Sequence, residues 1–271
     1  MKSNKKMSEI IVLIRGAGEM ASGVAHRLHQ SHFKLCMTEV SYPLAVRREV
    51  SFCEAVYEGE KEVEGVRAKL VPGHKEIESG WKEGYIPILI DPESKRTRDF
   101  LKPDVLIDAI MAKKNLGTRI DDATLVIGLG PGFTAGNDVH IVIETNRGHS
   151  LGKMILNGTA EPDTGIPGEV GGYTVERLLR TMKKGIFRPQ KTIGEKVTRG
   201  SVVAVVDDYP VISQISGVIR GLLREGIEVK KGMKVGDIDP RGKREHCFTI
   251  SEKARAIGGG VLEAILYWFN K

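Results

Sequence analysis

The six residues Gly16-Ala17-Gly18-Glu19-Met20-Ala21 limit what this chain can fold into more than any other feature. They follow a short apolar run, Glu9 to Ile14, that suits a buried parallel strand. After them Val24, Ala25, Leu28 and Phe33 recur at helical spacing, so a strand hands over to a helix through a Gly-x-Gly-x-x-Ala turn. Each small residue has a physical task there. Gly16 permits the tight turn, Gly18 lets phosphate oxygens reach the backbone, and Ala21 keeps helix and strand close. The first helical turn then offers N–H groups and the positive end of the helix dipole to an anion. Gly16, Ala17, Gly18, Glu19, Met20 and Ala21 are therefore the first candidates for contact with a phosphate-bearing cofactor.

The pattern continues as strands separated by polar segments and short helices. Leu35 to Val40, Ile86 to Ile90, Val105 to Ile110, Leu125 to Leu129 and Val139 to Glu144 read as strands, and together they suggest a Rossmann-like doubly wound sheet over the first 155 residues. Glu39 ends the second strand 21 residues past Gly18, where an acidic side chain accepts hydrogen bonds from a ribose. Arg47 and Arg48 follow closely and suit a second phosphate, which leaves NAD, NADP and other nucleotides open. A second glycine-rich loop, from Gly128 through Gly130 and Gly132 to Asp138, follows another strand. It lacks the Gly-Lys-Ser/Thr ending of an ATPase loop, and its successive N–H groups suggest an anion nest. Asp138, His140 and Glu144 share one face by the period of two, with Thr145, Asn146, Arg147, Gly148 and His149 at the strand end. Asn146 and Arg147 join the cofactor candidates, while the spacing matches no metal motif and hydrogen bonding to loops explains the rest. His26, His29 and His32 read as a polar helix face, and no metal site is expected.

From Gly158 to Gly172 there are five glycines and two prolines in fifteen residues, a linker or loop. The expected domains are therefore 1–172 and 173–271. A helix is expected over Thr174 to Met182. Beyond it Gly194-x-x-Val197-x-x-Gly200 is echoed 32 residues later by Gly226-x-x-Val229-x-x-Gly232, each ahead of an alternating strand. Two half-units of this kind resemble the biotinyl/lipoyl domain and imply a small β-barrel over about 186–245. Those carriers attach their cofactor to a hairpin lysine. Here the hairpin is Asp207-Asp208-Tyr209-Pro210 and no lysine occurs between Lys196 and Lys230, so covalent biotin or lipoyl is excluded. A C-terminal helix starts near Ser251, is interrupted at Gly258-Gly259-Gly260, and presents Leu262, Ile265, Leu266 and Phe269 to the main core or to a second copy of the chain.

The net charge of +6 is confined to the C-terminal third, where residues 181–271 carry 17 Lys and Arg against 10 Asp and Glu. Acids are interleaved there and no aromatic ladder accompanies them, so a nucleic-acid partner is not expected. No apolar run approaches the roughly 20 residues of a membrane span, and the basic start is not followed by an apolar signal region. Cys36, Cys53 and Cys247 are too few and too far apart for a disulfide framework or a zinc cage. A cytoplasmic protein with buried thiols is expected.

Read together, Arg15 to Ala25, Met37-Thr38-Glu39, Asp108 to Lys113, Gly128 to His140, Glu144 to His149 and Gly236 to Arg241 resemble the YqeB family, accessory proteins of the selenium-dependent molybdenum hydroxylase system. The Rossmann part is also similar to XdhC-type proteins, which assist insertion of molybdenum cofactor. The resemblance runs from about residue 8 to residue 268. It implies a maturation role, with a molybdenum hydroxylase or its maturation machinery as partner and NAD(P) or molybdenum cytidine dinucleotide as cofactor. The cysteine motif of a sulfur-transferring chaperone is missing. Two other readings stand beside this one: an NAD(P)-dependent oxidoreductase using His140 or His149, and a non-catalytic docking adaptor.

Overall fold

The computed structural model describes residues 5–270, so the first four residues of the basic start lie outside it. The chain divides into two compact units. The first takes the described residues through Pro43, Ser51–Asp163 and Ile250 onward; the second takes Leu44–Val50 and Thr164–Thr249. The C-terminal segment thus returns to the first unit instead of extending a domain 173–271.

The first unit is built on one nine-stranded sheet. In chain order its strands are β1 (Ile11–Arg15), β2 (Lys34–Glu39), β3 (Glu60–Val63), β4 (Val66–Leu70), β5 (Ile86–Ile90), β6 (Val105–Asp108), β7 (Leu125–Leu129), β9 (Ile141–Ile143) and β10 (Met154–Ile155). A separate ribbon pairs β8 (Thr134–Ala135) with β11 (Gly158–Thr159). The spatial order is β10-β9-β7-β6-β1-β2-β5-β4-β3, and the order reverses at β1, between β2 and β6. The central strands are parallel, with Leu13 opposite both Cys36 and Leu106. Both edges are antiparallel: the β3–β4 hairpin closes one and β10 closes the other.

Buried on both faces, the central strands read as continuous Val, Ile and Leu runs. By the period of two, Leu13, Cys36, Leu106 and Val126 fall on one face, where they pack with Ile77 of α3 (Ile77–Glu83) and with Leu101 of α4 (Lys95–Leu101). Val12, Ile14, Met37, Ile107 and Ile127 fall on the other and are fully buried. That face carries α1 (Glu19–Gln30) and α5 (Glu252–Phe269), and α5 touches α1, β7, β9 and β10. A further helix of one turn, α2 (Ala55–Glu58), precedes the edge hairpin.

In the second unit β12 (Leu178–Arg180), β19 (Lys234–Asp239), β17 (Gly217–Leu222) and β14 (Lys196–Val197) form one antiparallel sheet in that order. The other, again antiparallel, runs β16 (Tyr209–Ile212), β15 (Val202–Val206), β13 (Gly185–Pro189) and β18 (Glu228–Val229). Phe187, Val203, Ile219, Val235 and Ile238 fill its core.

These features correct the expected fold class, a Rossmann-like doubly wound sheet followed by a biotinyl/lipoyl-like barrel. The sheet is mixed, and its second half has no crossover helices of its own: β6 reaches β7 through a loop with one 3-10 turn, and β7 reaches β9 through the short β8. The helix that covers those strands, α5, comes from the far end of the chain. The second unit is two open four-stranded sheets with four free edges, not a closed barrel. The helix expected over Thr174 to Met182 is a 3-10 turn, Val175–Arg177, followed by β12; Arg177 is buried there and its guanidinium pairs with Asp237 at 2.9 Å. Nor do the glycines at 258–260 interrupt the last helix. They lie inside it, because a Cβ on Gly258 would stand 3.0 Å from the Gly23 carbonyl oxygen and one on Gly260 would overlap the Gly152 carbonyl.

Gly259 has open space at its Cβ position. Gly259→Ala is therefore expected to stabilise by up to about 1 kcal/mol through helix propensity. Gly260→Ala is expected to destabilise by about 1–3 kcal/mol through overpacking. Opposite shifts in thermal midpoint check the pair.

Candidate functional site

The site grows out of the β1–α1 turn. Gly16 takes φ +89°, a conformation that L side chains disfavour, and a Cβ there would press on the Ala109 backbone at 3.3 Å. Its N–H donates to the Thr38 carbonyl at 2.8 Å. Gly18 is the N-cap of α1, with φ −70° and ψ −174°, and nothing lies within 4 Å of where its Cβ would be. Backbone and space thus stay open where an anion would approach. Ala17 and Ala21 are fully buried against the sheet.

The second helix of this face begins beside the first. Gly23 of α1 meets Ala254 of α5, and Gly258 meets Gly23 and Arg27, so the two helices run parallel in close contact. The Arg27 guanidinium donates to the Arg255 carbonyl at 3.4 Å along the same seam. Ser251 caps α5 by accepting the Ala254 N–H and donates its hydroxyl to Glu19 Oε1 at 3.0 Å. Two helix N-termini therefore meet at the carboxyl edge of the sheet, beside the point where strand order reverses.

Charged side chains gather around them. Lys253, half-buried in the first turn of α5, has its pKa pushed down by burial and then by the neighbouring Lys113 and Arg147, against the pull of Glu19 and Glu144. Lys113 lies 3.8 Å from Asp163, and Arg147 pairs with Glu252. Glu144 is buried and spoken for: its Oε1 accepts the Thr145 and Asn146 N–H groups at 2.7 Å and its Oε2 accepts that of Glu161 at 2.8 Å. The arrangement concentrates positive potential in a partly desolvated corner, which suits a phosphate or carboxylate.

Several residues singled out in the sequence do other work. Glu39 is turned onto the glycine turn, accepting the Ala17 N–H at 2.9 Å and the Val40 N–H at 2.7 Å, and burial raises its pKa. It braces the turn, with both carboxylate oxygens already accepting N–H groups instead of waiting for a ribose. Arg47 and Arg48 belong to the second unit. Arg47 is buried and donates to the carbonyls of Arg220, His246 and Thr249, and Arg48 Nε donates to that of Leu222, so neither is held ready for a second phosphate. The second glycine loop is packing, not a nest: Cβ atoms on Gly128, Gly130 and Gly132 would collide with Phe133, Thr145 and the Lys114 backbone. Asn146 donates its side-chain amide to Glu161 at 2.5 Å. His140 accepts the Val126 N–H on Nδ1 at 3.0 Å and packs edge-on against Trp268, with burial lowering its pKa, so it is a wall residue and not a proton donor. Among the described residues no three His, Cys, Asp or Glu side chains gather as a metal site.

What the sequence did not single out is Lys253 and the pairing of the two helix ends. The signal was there in part, since Ser251 reads as an N-cap, but nothing in the spacing says where that cap will lie.

With this geometry in view, the chain can be compared with known proteins. No protein-family model matches it. Over 266 residues it is 47% identical to a protein of Escherichia coli (strain K12) described as "Uncharacterized protein YqeB". The chain is similar to YqeB. The match takes in 98% of the chain and 49% of YqeB, so the chain spans about half the length of that relative. Solved structures offer fainter likenesses. An aspartoacylase family protein from Mesorhizobium loti aligns over 85% of the chain and 84% of its own length, at 14% identity and a TM-score of 0.26. The ectoine utilization protein EutE from Ruegeria pomeroyi aligns over 85% of each chain, at 11% identity and a TM-score of 0.24. Scores this low assign neither fold nor activity. None of these descriptions mentions molybdenum or selenium, and the solved relatives are described as aspartoacylase or ectoine-utilization proteins. The expectation of an accessory protein for a selenium-dependent molybdenum hydroxylase is corrected accordingly, as is the XdhC-like, molybdenum-cofactor reading of the first unit. YqeB itself is described as uncharacterized, so likeness to it brings no activity.

The carboxyl edge also contains a buried ion pair, Arg15 with Asp108 at 3.1 Å. Asp108→Ala is expected to cost about 3–5 kcal/mol, the penalty of leaving a buried guanidinium unpaired. Denaturant unfolding of the variant checks it.

Proposed function

We propose that the first unit binds a small phosphate-bearing ligand of the nucleotide class, NAD(P) among the candidates, with an anionic group seated where α1 and α5 begin. One observation carries the proposal: two parallel helices in contact put both positive ends at one corner of the sheet, beside Lys253 and the open Gly18. Each helix end adds roughly half a positive charge beside Lys253, while the neighbouring Lys113 and Arg147 are set against Asp163 and Glu252. The Gly-x-Gly-x-x-Ala turn supports a phosphate at Gly18 in particular, where nothing lies within 4 Å of the Cβ position, while the Ala17 N–H before it is already taken by Glu39. The proposal is for binding and positioning; it assigns no proton transfer or hydride step. Three buried free thiols, Cys36, Cys53 and Cys247, suit the reducing cytoplasm in which we place the protein. Among the described residues no helix is long and apolar enough to cross a membrane.

Gly18 has an extended backbone and empty space around it, so Gly18→Val is expected to fold, with a loss of about 1 kcal/mol for the poorer N-cap of α1, while blocking the anion's approach. Titration calorimetry with NAD, NADP and ADP is the measurement. At least one of them should bind the parent chain and none should bind the variant. No binding to the parent chain, or equal binding to the variant, overturns the proposal. Lys253→Ala should weaken binding by about ten- to a hundredfold, the equivalent of about 1.5–3 kcal/mol for a hydrogen bond to a charged group.

The pH dependence follows from Lys253. Its pKa is lowered in the free protein, and an anion beside it favours the charged form, so binding takes up a proton. Affinity should therefore fall as pH rises through that lowered pKa, and the dependence should vanish in Lys253→Arg, which stays charged. Calorimetry in buffers of different ionisation enthalpy reads the proton uptake directly.

A further inference from the structure

The carboxyl ends of β4 and β5 border a cavity of about 550 Å³ that the paired helix ends do not use. Leu70, Val71 and Ile90 supply apolar wall, and His74, Asp91 and Arg96 supply the side-chain polar groups. A volume in this range suits a small-molecule ligand, typically about 300–1,000 Å³. In sheet order these two strands lie on the β2 side of β1, whereas the strands that α5 touches, β7, β9 and β10, lie on the other. The cavity is therefore a separate place on the carboxyl edge.

Asp91 is only 5% exposed, and its two oxygens are used differently. Oδ2 accepts the Thr97 N–H at 2.8 Å and the Thr97 hydroxyl at 2.9 Å. Oδ1 accepts no hydrogen bond among the described residues, with Arg96 Nε 3.8 Å away, and it is not sealed from solvent. The Thr97 hydroxyl also lies 3.3 Å from His74 Nε2. Having given its proton to Asp91, that hydroxyl can only accept from the ring. The proton of the neutral imidazole is thereby fixed on Nε2, and Nδ1 is left as an acceptor. Nδ1 has no hydrogen bond among the described residues and is likewise open to solvent. Phe100 stacks on the ring with centroids 5.0 Å apart, which holds its plane.

We infer that this cavity is a second ligand site, which takes a neutral sugar ring, free or as the ribose of a nucleoside, through hydroxyls that donate to Asp91 Oδ1 and His74 Nδ1. The two open groups are both acceptors, so the ligand must bring donors. A carboxylate or phosphate brings none and would face the Asp91 charge, while an ammonium would face Arg96. Asp91 and Arg96 are the charged residues of the lining and cancel, so a neutral ligand fits. Sugar hydroxyls supply the donors, and the C–H faces of the ring cover the apolar wall. The inference does not rest on the nucleotide reading of the helix ends.

The test is an NMR titration of the full chain with D-ribose, D-glucose, adenosine and adenine, read at the His74 ring resonance, which its loss in His74→Phe assigns. A saturable shift with ribose or glucose identifies a free-sugar site, and a shift with adenosine but neither sugar identifies a nucleoside ribose. Adenine, which carries no hydroxyl, should leave the resonance in place. Asp91→Asn keeps an oxygen for Thr97 and replaces the open acceptor with a donor, so it should weaken the titration about ten- to a hundredfold. His74→Phe keeps the stacking on Phe100 and should weaken binding about tenfold by calorimetry, so either variant decides the matter if the other fails to fold. Gly18→Val and Lys253→Ala should leave the titration unchanged, which separates failure here from failure at the helix ends. If no sugar or nucleoside moves the His74 resonance, if adenine binds as well as adenosine, if the folded variants bind like the parent chain, or if Lys253→Ala abolishes the shift, the second site is overturned.

Discussion

The contact between α1 and α5 is the constraint on which the rest of the first unit depends. Gly23 and Gly258 let the helices approach until backbone meets backbone, and Gly260 lets α5 settle on the Gly152 carbonyl. Close approach fixes not only distance but direction, and here the direction is parallel. Parallel helix dipoles side by side repel at both ends. The chain answers at the N-terminal end with acids in each first turn: Glu19 accepts the Ser251 hydroxyl and Glu252 pairs with Arg147. The same corner also carries Lys253 and Lys113, which work against that compensation. Burial and two neighbouring cations disfavour the charged form of Lys253 at this corner, which is the physical reason to look there for an anionic ligand.

How much of this was legible in the sequence varies with the range of the forces involved. Short-range periodicity placed the strands Ile86–Ile90 and Leu125–Leu129 to the residue, and the Gly16–Ala21 turn sits between a strand and a helix as its spacing requires. The fate of Glu39 was not legible, because its ribose role and its role in bracing the Ala17 N–H ask for the same residue at the same place. The second glycine loop misled for a similar reason. Glycine is required wherever backbone must pass close to something, and at Gly128, Gly130 and Gly132 the something is Phe133, Thr145 and Lys114, not a phosphate. Arg47 and Arg48 misled because a charged pair near a nucleotide fingerprint suggests phosphate, whereas in the structure their donors are spent on carbonyls more than 170 residues away in sequence.

Long-range assembly explains the larger differences. The sequence pattern of strand, helix, strand implies that each crossover covers its own part of the sheet. Between β6 and β9 that coverage is missing, and an uncovered face of Ile107, Ile127, Ile141 and Ile143 cannot stand in water. The last helix of the chain supplies it. Pattern reading treated that helix as broken at its glycines, since an isolated helix loses about 1 kcal/mol at each one relative to alanine. Packing reverses the sign at Gly258 and Gly260, where a methyl group has nowhere to go.

The same substitution of a distant helix for a local one has an electrostatic consequence. A local crossover between β6 and β7 would begin at the carboxyl end of β6 and place its N-terminus there, next to Asp108. Instead the Asp108 carboxylate is left to pair with Arg15, and the loop that follows, through Met111 and Lys113 with positive φ, carries its lysine toward the start of α5. The two faces of the sheet thereby differ at this edge: helix ends, Lys253 and Lys113 gather on one, and the Arg15–Asp108 pair lies on the other. The glycine turn at Gly16 runs between them, held by the Thr38 carbonyl and by the backbone at Ala109, so the two faces share one rigid partition while each keeps its own set of donors.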